Sequence, residues 1–381
     1  MKICYIANAI EIHNQRWVKY FADNRGHDTH LISPMSLEDA DIGNVHLYIL
    51  KRFPLRIRII STLIDLLLYV IQVRILVKKI KPDILHAHYV TDCGFLAALS
   101  GFHPFILSVW GSDILRDPAR SKIKLQHVKI SLKKADWVLT TTDYMRDQVI
   151  NKFKLDPGKI VTIPWGMDLG IFHRGYENKV KSLKKELELS QEALLILSNR
   201  AMAPVYRIQD IVESIPFVLE RLPEAVFVFL RGLGSSQFEE KIKLEVQRLG
   251  VSNSVRFIPR FITEEEMAVY VNAADICISI PDSDQFGIAI FEGASGGAVP
   301  IVSDLEAYRC YLRDGENALF VPRNQPQILG QKIIYCLEHP ELKDRFYQLN
   351  RKIIEESVDW DKNAGKMAEL YENIADRKLR K

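Results

Sequence analysis

Short apolar runs alternate with longer amphipathic stretches along most of the chain. Most runs are preceded by helix-like segments, such as residues 15–24, 121–134 and 208–220. The runs are predicted strands, and they fall at residues 2–7, 28–33, 83–87, 105–109, 136–140, 160–163, 193–198, 225–230, 254–258, 275–280 and 299–302. This alternation predicts parallel sheets joined by crossover helices, and therefore an α/β fold.

The alternation breaks once, near residues 164–192. A turn-rich piece is followed there by a polar segment that is rich in Lys and Glu. We place a hinge at this point and predict two doubly wound, Rossmann-like domains, residues 1–168 and residues 169–360. The chain of 381 residues is long enough for two such domains. Two facing parallel-sheet domains would form a central cleft, where ligands of such folds bind.

Composition excludes several classes of protein. With 48% hydrophobic and 26% charged residues, the chain is neither disordered nor collagen-like. Its five cysteines are scattered and form no CxxC pair, which argues for free thiols rather than a disulfide framework or a cysteine zinc site. The first apolar run is too short for a signal peptide, and the most apolar window, 59–71, is too short to span a membrane. We therefore expect a cytoplasmic protein.

Charge is distributed unevenly between the two halves. Residues 1–168 carry 23 basic and 16 acidic side chains, whereas the remainder carries 28 and 32. The excess is concentrated at 51–81 and 116–134, which predicts an anionic partner. Because these stretches lack interleaved aromatic residues, nucleic acid is disfavoured. One hypothesis is that 51–81, through Arg56, Arg58, Lys78 and Lys79, rests on the inner face of an anionic membrane. The alternative is that its apolar face packs on the sheet and its charges are solvated.

The densest group of candidate functional residues lies between Ser279 and Asp304. A strand at 275–280 leads through a polar loop into a helix that is predicted to begin near Phe286. A helix start after a strand offers free backbone N–H groups, which suit a phosphate. Asp284 lies at this start, and Glu292 follows eight residues later on a similar face. The alternative is that Asp284 only caps the helix and Glu292 is solvated.

This segment resembles the signature of the retaining GT-B glycosyltransferases of family 4, also called glycosyl transferases group 1. That signature is an acid, Phe-Gly, a Glu eight positions after the acid, small residues and Pro-(Ile/Val)-Val. Here it reads Asp284, Phe286-Gly287, Glu292, residues 294–297 and residues 300–302. Further motifs of the family fall in the expected order at 86–88, 110–113, 163–168 and 314–318.

The resemblance implies a nucleotide-sugar donor on the C-terminal domain and an acceptor on the N-terminal domain. It also implies that the last helix, 361–381, crosses back onto the first domain. The reaction would be transfer of a sugar with retention of configuration. The donor would be a nucleotide-diphosphate sugar, and UDP is the commonest donor nucleotide in the family. The acceptor would be a hydroxyl of a lipid-linked or cell-surface glycan precursor. Neither a cofactor nor a metal is expected. The DxD triplet 282–284 matches the metal motif of another fold, but it recurs at 39–41 and 359–361, so we attribute it to chance.

The resemblance also implies roles for single residues in binding the donor. Glu292 resembles the glutamate that binds the ribose. Asp284 stands where the family usually has Glu facing the donor sugar, and Arg200 matches the arginine that grips the diphosphate. Arg207 is the candidate for the lysine that this chain lacks, and the alternative is a surface arginine. The remaining donor-side candidates are the backbone of Phe286, Gly287 and Ile288, the loop residues Arg231 and Gly232 near the phosphates, and Arg260 and Phe261 near the base.

The N-terminal domain departs further from the family. Glu11 and His13 are candidates for the acceptor side, in place of the usual Gly-Gly loop. Trp110 stands where many relatives have His and could stack on a sugar, while Asp113 could hold hydroxyls or steer a proton. His86 and His88 are interpreted as structural. These departures leave two alternatives open, a non-catalytic nucleotide-sugar-binding subunit of another transferase and a sugar-nucleotide epimerase.

Overall fold

The computed structural model describes residues 1–36, 42–52, 58–232 and 234–379, with only the backbone given for 58–63 and 377–379. The chain divides into two compact units. The N-terminal unit comprises Met1–Pro164 and Ala364–Lys381, and the C-terminal unit comprises Trp165–Asn363. The division after Pro164 lies four residues before the boundary that the sequence predicts.

The N-terminal unit is built on a parallel sheet of seven strands in the order β3-β2-β1-β4-β5-β6-β7. Its strands are β1 Lys2–Ile6, β2 Asp28–Ser33, β3 Val45–Ile49, β4 Ile84–His88, β5 Phe105–Ser108, β6 Trp137–Thr140 and β7 Ile160–Thr162. Its helices are α1 Ile12–Lys19, α2 Arg58–Ile80, α3 Cys93–Ser100, α4 Ser112–Leu115, α5 Asp117–Arg120, α6 Lys122–Lys134 and α7 Asp143–Phe153. The carboxyl ends of β1, β4 and β5 lead into the loops that carry the acceptor-side candidates.

The C-terminal unit contains a second parallel sheet, of six strands in the order β10-β9-β8-β11-β12-β13. Its strands are β8 Leu194–Ser198, β9 Ala225–Leu230, β10 Val255–Ile258, β11 Ile276–Ser279, β12 Val299–Ser303 and β13 Leu319–Val321. Its helices are α8 Glu177–Glu186, α9 Ile208–Leu219, α10 Ser236–Arg248, α11 Glu264–Ala273, α12 Ile288–Gly296, α13 Pro326–Glu338 and α14 Glu341–Ile353. A last helix, α15 Trp360–Leu379, begins in this unit, and its residues from Ala364 onward belong to the N-terminal unit.

The apolar runs become central strands because both faces of each sheet are covered by helices. In the N-terminal unit, Ile6, Leu85 and Leu107 form a core with Val73 and Val77 of α2. In the C-terminal unit, the core joins strand residues to the apolar face of α9 and α13. The predicted α/β class with two doubly wound domains is confirmed. All five cysteines are free thiols, as the sequence predicts.

Three elements differ from the sequence prediction. The strands β3 and β13 are additional, and both lie at sheet edges. The polar segment of the predicted hinge contains α8, which buries Leu183 and exposes its charged residues. Over the part of the chain that the structure describes, no helix is both long and apolar enough to cross a bilayer.

Candidate active site

A buried ion pair lies where β8 ends and α12 is about to begin. Nη2 of Arg200 is 3.0 Å from Oδ2 of Asp284, with side chains 10% and 14% exposed. The Tyr308 hydroxyl donates to the same oxygen at 2.9 Å, and the Gln285 N–H donates to Oδ1 at 2.7 Å. The Arg200 guanidinium also lies 4.2 Å from the centroid of the Tyr206 ring. A carboxylate has about four acceptor sites, so these three donors leave room for one hydroxyl of a ligand.

The charges of this cluster are fixed by its surroundings. Burial alone would lower the pKa of Arg200, but the Asp284 carboxylate raises it above the ordinary value, so the guanidinium stays charged. Burial and the same carboxylate raise the pKa of Tyr308, so its phenol stays neutral and donates. A buried, permanently charged guanidinium in a fixed orientation is suited to binding a diphosphate.

The helix that follows has a start that only glycine allows. Gly287 has φ +72°, and a Cβ there would lie 2.8 Å from both Ile290 Cδ1 and Tyr308 Cε1. The helix α12 begins at Ile288, two residues later than predicted, and no side chain caps it. The Phe286 ring is buried against Phe291, so Phe286 can serve a ligand only through its backbone. The first-turn N–H groups of α12 are suited to an anion.

Glu292 is tied to the end of β8 by a residue that the sequence analysis did not select. Asn199 donates from Nδ2 to Glu292 Oε2 and to the Ala289 carbonyl, each at 3.0 Å. The Cys277 thiol donates to Asn199 Oδ1 at 3.4 Å. Because Asn199 directly precedes Arg200 in the chain, this hydrogen bond ties Glu292 to the stretch after β8 that carries Arg200. Its place at a strand end, adjacent to Arg200, was the signal that could have identified it, whereas no local signal pointed to Tyr308.

Arg207 occupies a different environment from the one that the resemblance implies. Its guanidinium forms two hydrogen bonds to Asp210, at 2.7 and 2.8 Å, and a third to Asp282 at 3.1 Å. With three hydrogen bonds to carboxylates, Arg207 connects the start of α9 to the loop before α12. Three of the five N–H donors of the guanidinium are used in these bonds, so the interpretation of Arg207 as a diphosphate ligand stays a prediction.

The neighbouring strand ends bring the other donor-side candidates onto adjacent loops. Arg231, after β9, pairs with Glu239 at 3.3 Å and donates to the Pro259 carbonyl at 3.2 Å. The next residue, Gly232, has φ +55°. Arg260, after β10, forms an ion pair with Glu266 at 2.7 Å, and the Phe261 ring beside it is 53% exposed. Phe261 is available to stack on a planar ligand.

Asp113 of the N-terminal unit does not face solvent. Its side chain is fully buried, and its carboxylate accepts the N–H of Val90 at 2.8 Å and the N–H of Trp110 at 3.1 Å. Burial raises the pKa of Asp113 to about 7, although these N–H groups lower it. The oxygens of Asp113 hold the loops after β4 and β5 together, and its expected role toward hydroxyls or a proton stays a prediction.

The remaining acceptor-side candidates form an aromatic group at the carboxyl ends of β1, β4 and β5. The His13 and Trp110 ring centroids lie 6.2 Å apart, and Trp110 lies 6.0 Å from His88. Asn14 Oδ1 is 2.7 Å from His88 Nδ1, while the buried Nε2 makes no hydrogen bond. Burial lowers the pKa of His88 to about 3, so this imidazole is neutral. The sequence predicts a structural role for His88, and the family motif at 86–88 is the signal for this position.

Two further side chains of this unit complete its description. Glu11 precedes α1 without capping it, and burial raises the pKa of its carboxyl group. His86 is buried between the Tyr371 hydroxyl and Ser108 Oγ, and Tyr371 also contacts the Tyr5 hydroxyl at 3.0 Å. His86 therefore belongs to an internal network that includes α15, as its structural interpretation requires.

Comparison with known families assigns both halves of the chain. Residues 2–142 match the model "Glycosyl transferase 4-like", and residues 179–353 match "Glycosyl transferases group 1". The second match includes Arg200, Asp284 and Glu292, and the first includes Trp110 and Asp113.

Two curated relatives are inositol-related glycosyltransferases. D-inositol 3-phosphate glycosyltransferase of Streptomyces scabiei is 23% identical over 308 residues, which cover 76% of this chain and 67% of the relative. Phosphatidyl-myo-inositol mannosyltransferase of Mycobacterium tuberculosis is 26% identical over 170 residues, 43% of each protein. Several matches span only about half of the relative, for example 52% of the Streptomyces bingchenggensis protein.

A solved structure supports the fold. Anabaena Alr3699/HepE, crystallised with UDP-glucose, superposes with a TM-score of 0.80 at 14% identity, covering 98% of this chain and all of that one (100%). Together with the two family models, this likeness identifies the architecture as GT-B. The chain belongs to the group 1, GT4-type glycosyltransferases of the GT-B fold.

Proposed function

We propose that this protein transfers a sugar from a UDP-sugar to a hydroxyl of a lipid-linked or cell-surface glycan precursor, with retention of configuration and without a metal. The observation that carries the donor half is the buried cluster of Arg200, Asp284 and Tyr308 at the start of α12. UDP as the donor nucleotide is favoured by the UDP-glucose bound to the Anabaena neighbour. A lipid-linked acceptor is favoured by the mycobacterial relative, whose name specifies phosphatidyl-myo-inositol.

Arg200 and the first-turn N–H groups of α12 would bind the donor diphosphate. Charge develops on the leaving phosphate oxygen as the bond between it and the anomeric carbon breaks, and preorganised donors stabilise that charge. The acceptor hydroxyl forms the new bond on the same face and passes its proton to the departing phosphate oxygen. Asp284 orients Arg200 and accepts one sugar hydroxyl, and Glu292 binds the ribose.

The helix α2 presents a surface that fits a membrane-bound acceptor. Val73 and Val77 on one face pack on the sheet, as the alternative interpretation of this segment required. On another face Leu67, Ile71 and Ile75, spaced by four residues, are 61%, 44% and 59% exposed. The exposed basic side chains of this helix are Arg74, Lys78 and Lys79. Arg56 lies outside the described residues, as does the side chain of Arg58.

An exposed apolar stripe beside basic side chains is suited to the surface of an anionic bilayer. We therefore propose peripheral binding at the inner face of the membrane. Flotation with phosphatidylglycerol vesicles tests this, with phosphatidylcholine vesicles for comparison. Binding should be lost when Leu67, Ile71 and Ile75 are all replaced by Ser. It should survive Leu244→Ser, since Leu244 is 65% exposed on α10. Equal binding by the triple variant would refute the membrane surface.

Activity is tested by incubating the protein with UDP-, GDP-, ADP- and dTDP-sugars in the presence of membrane lipid extracts. We expect transfer from a UDP-sugar, with the anomeric configuration of donor and product the same by NMR coupling constants. Conversion of the donor without an acceptor would favour the epimerase. Unchanged glycan synthesis in cells carrying both Asp284→Ala and Glu292→Ala would favour the non-catalytic subunit.

A further inference from the structure

Three metal-ligating side chains meet at the amino-terminal ends of β2 and β3, in the N-terminal unit. His30 and His46 are register partners on these adjacent parallel strands, so their side chains lie on one face of the sheet. Asp28 lies two residues before His30 and shares that face. One ligand atom from each residue can be chosen so that all three lie within 4.8 Å of one another. The amino-terminal ends of the strands form the sheet edge opposite the acceptor-side loops.

The three groups point at one another. Oδ1 of Asp28 is 3.0 Å from His30 Nε2 and 3.5 Å from His46 Nε2. The two imidazole rings are stacked with centroids 4.8 Å apart. Lys2 lies 3.3 Å from the other oxygen, Oδ2, so Oδ1 is the atom that faces the imidazoles.

His30 is the most informative member because it is only 7% exposed and its Nε2 faces the Asp28 carboxylate at 3.0 Å. Its other nitrogen, Nδ1, lies 3.3 Å from the Tyr48 hydroxyl. This contact holds the orientation of the ring, with Nε2 directed at the cluster. A buried imidazole nitrogen that faces a carboxylate and a second imidazole is placed as a ligand for a cation.

We propose that Asp28, His30 and His46 bind a divalent transition metal, for which zinc is the best match. Two imidazoles and one carboxylate are a zinc donor set, whereas magnesium and calcium prefer oxygen ligands alone. Zinc–ligand bonds are about 2.0–2.2 Å long, so its ligand atoms stand within about 4 Å of one another. His46, whose side chain is 62% exposed, can rotate to close the remaining distance. A fourth position is left for water.

The metal has a structural role in this position. Among the strands that the structure describes, the edge strand β3 pairs only with β2. A metal bridging His30 and His46 would fasten the edge strand across that single pairing. This role is separate from sugar transfer, so the proposal stands or falls independently of the donor site.

The test uses the full chain, stripped with a chelator and then titrated with zinc. Saturating zinc should raise the melting temperature by about 5–11 °C, the shift expected at a hundredfold excess over Kd for units of this size. The same addition should slow deuterium exchange of the β3 amides. Cobalt in place of zinc should give the visible absorption of a four-coordinate site.

His46→Ala should remove all three responses, and because its side chain is largely exposed the variant should fold. His30→Gln is the buried counterpart. His103→Gln is the matched control, since His103 also faces a carboxylate, Asp136 at 2.7 Å, and is half exposed. No shift in the wild type, or a shift that survives His46→Ala, would overturn the proposal. Loss of the shift in His103→Gln would show binding at another site and would overturn it too.

Discussion

In the C-terminal unit a buried ion pair lies between β8 and α12, whereas His88 and Trp110, at the carboxyl ends of β4 and β5 of the N-terminal unit, are uncharged. Arg200 keeps its charge beside the Asp284 carboxylate. His88 is neutral, and Asp113 is buried with a pKa of about 7. A fixed charge is useful for a ligand that is itself always charged, such as a diphosphate. The neutral, aromatic surroundings of His88 and Trp110 suit an uncharged sugar or alcohol.

The largest effect is expected from Arg200→Ala. It removes the charge that opposes the developing phosphate charge, and the loss of one such donor costs about 10²–10³ in kcat. It also leaves Asp284 buried without its partner, a change that typically costs about 3–5 kcal/mol of stability. Steady-state kinetics and urea unfolding measure the two effects. Arg221→Gln is the control, because Arg221 is 69% exposed in its pair with Glu338. Equal kcat in Arg200→Ala and the wild type would contradict the comparison.

Asp113→Ala should have the next largest effect, and on stability rather than chemistry. It removes the acceptor of the buried Val90 N–H, at about 1–3 kcal/mol, and that of the partly buried Trp110 N–H, at a lower cost. The melting temperature of the variant should fall. A normal melting temperature combined with lost activity would instead return Asp113 to a direct catalytic role.

The raised pKa of Asp113 leads us to expect that stability depends on pH. Its folded pKa of about 7 lies above its ordinary value of 3.8. Between these two values the folded state binds more protons than the unfolded state, so its contribution to the free energy of unfolding falls as pH rises. This slope should be weaker in Asp113→Asn, measured by urea unfolding at pH steps from 4 to 7. An unchanged slope would show that Asp113 is ionised throughout.

Trp110→Ala should have a smaller and more selective effect. The loss of a stacking ring costs about 0.5–1.5 kcal/mol, which corresponds to about a 2- to 13-fold rise in KM for the acceptor. The KM for the donor should stay the same, because Trp110 belongs to the N-terminal unit. Trp137→Phe, at the start of β6, is a control for general loss of an aromatic residue. A rise in donor KM alone would reverse the assignment of the two units.

Arg260→Gln should have the smallest effect of the four. Arg260 is 51% exposed in its pair with Glu266, and such pairs contribute about 0.2–1 kcal/mol. Stability should barely change, and donor affinity should fall only a few-fold. Competition binding with UDP, GDP, ADP and dTDP measures whether the loss of donor affinity depends on the base. A loss that is equal for all of them would place Arg260 near the phosphates instead of the base.

The sequence predicts the central strands of both sheets well, because fully buried strands leave long apolar runs. It misses β3 and β13, both at sheet edges. In β3 none of the five residues is fully buried, and β13 has only three residues. The helix α8 was obscured by its polarity, since a single buried Leu183 leaves no apolar period to detect.

The sequence also predicted the candidate site only in part. Motif spacing identified Asp284, Gly287 and Glu292, which the structure places around one helix start. It could not show that Arg207 pairs with Asp210 and Asp282, because those partners are fixed by packing between loops. Nor could spacing select Tyr308, whose hydroxyl reaches Asp284 from 24 residues further along the chain.

Binding of free nucleotides tests most directly whether the donor site lies around α12 of the C-terminal unit. Thermal unfolding would be followed with UDP, GDP, ADP and dTDP for the wild type, Glu292→Gln and the control Glu338→Gln. At a hundredfold excess over Kd, bound nucleotide stabilises by about 2.7 kcal/mol, which is readily measured. We predict that UDP stabilises the wild type and Glu338→Gln but not Glu292→Gln. Stabilisation of Glu292→Gln equal to that of the wild type, or of none of the three proteins, would contradict the account.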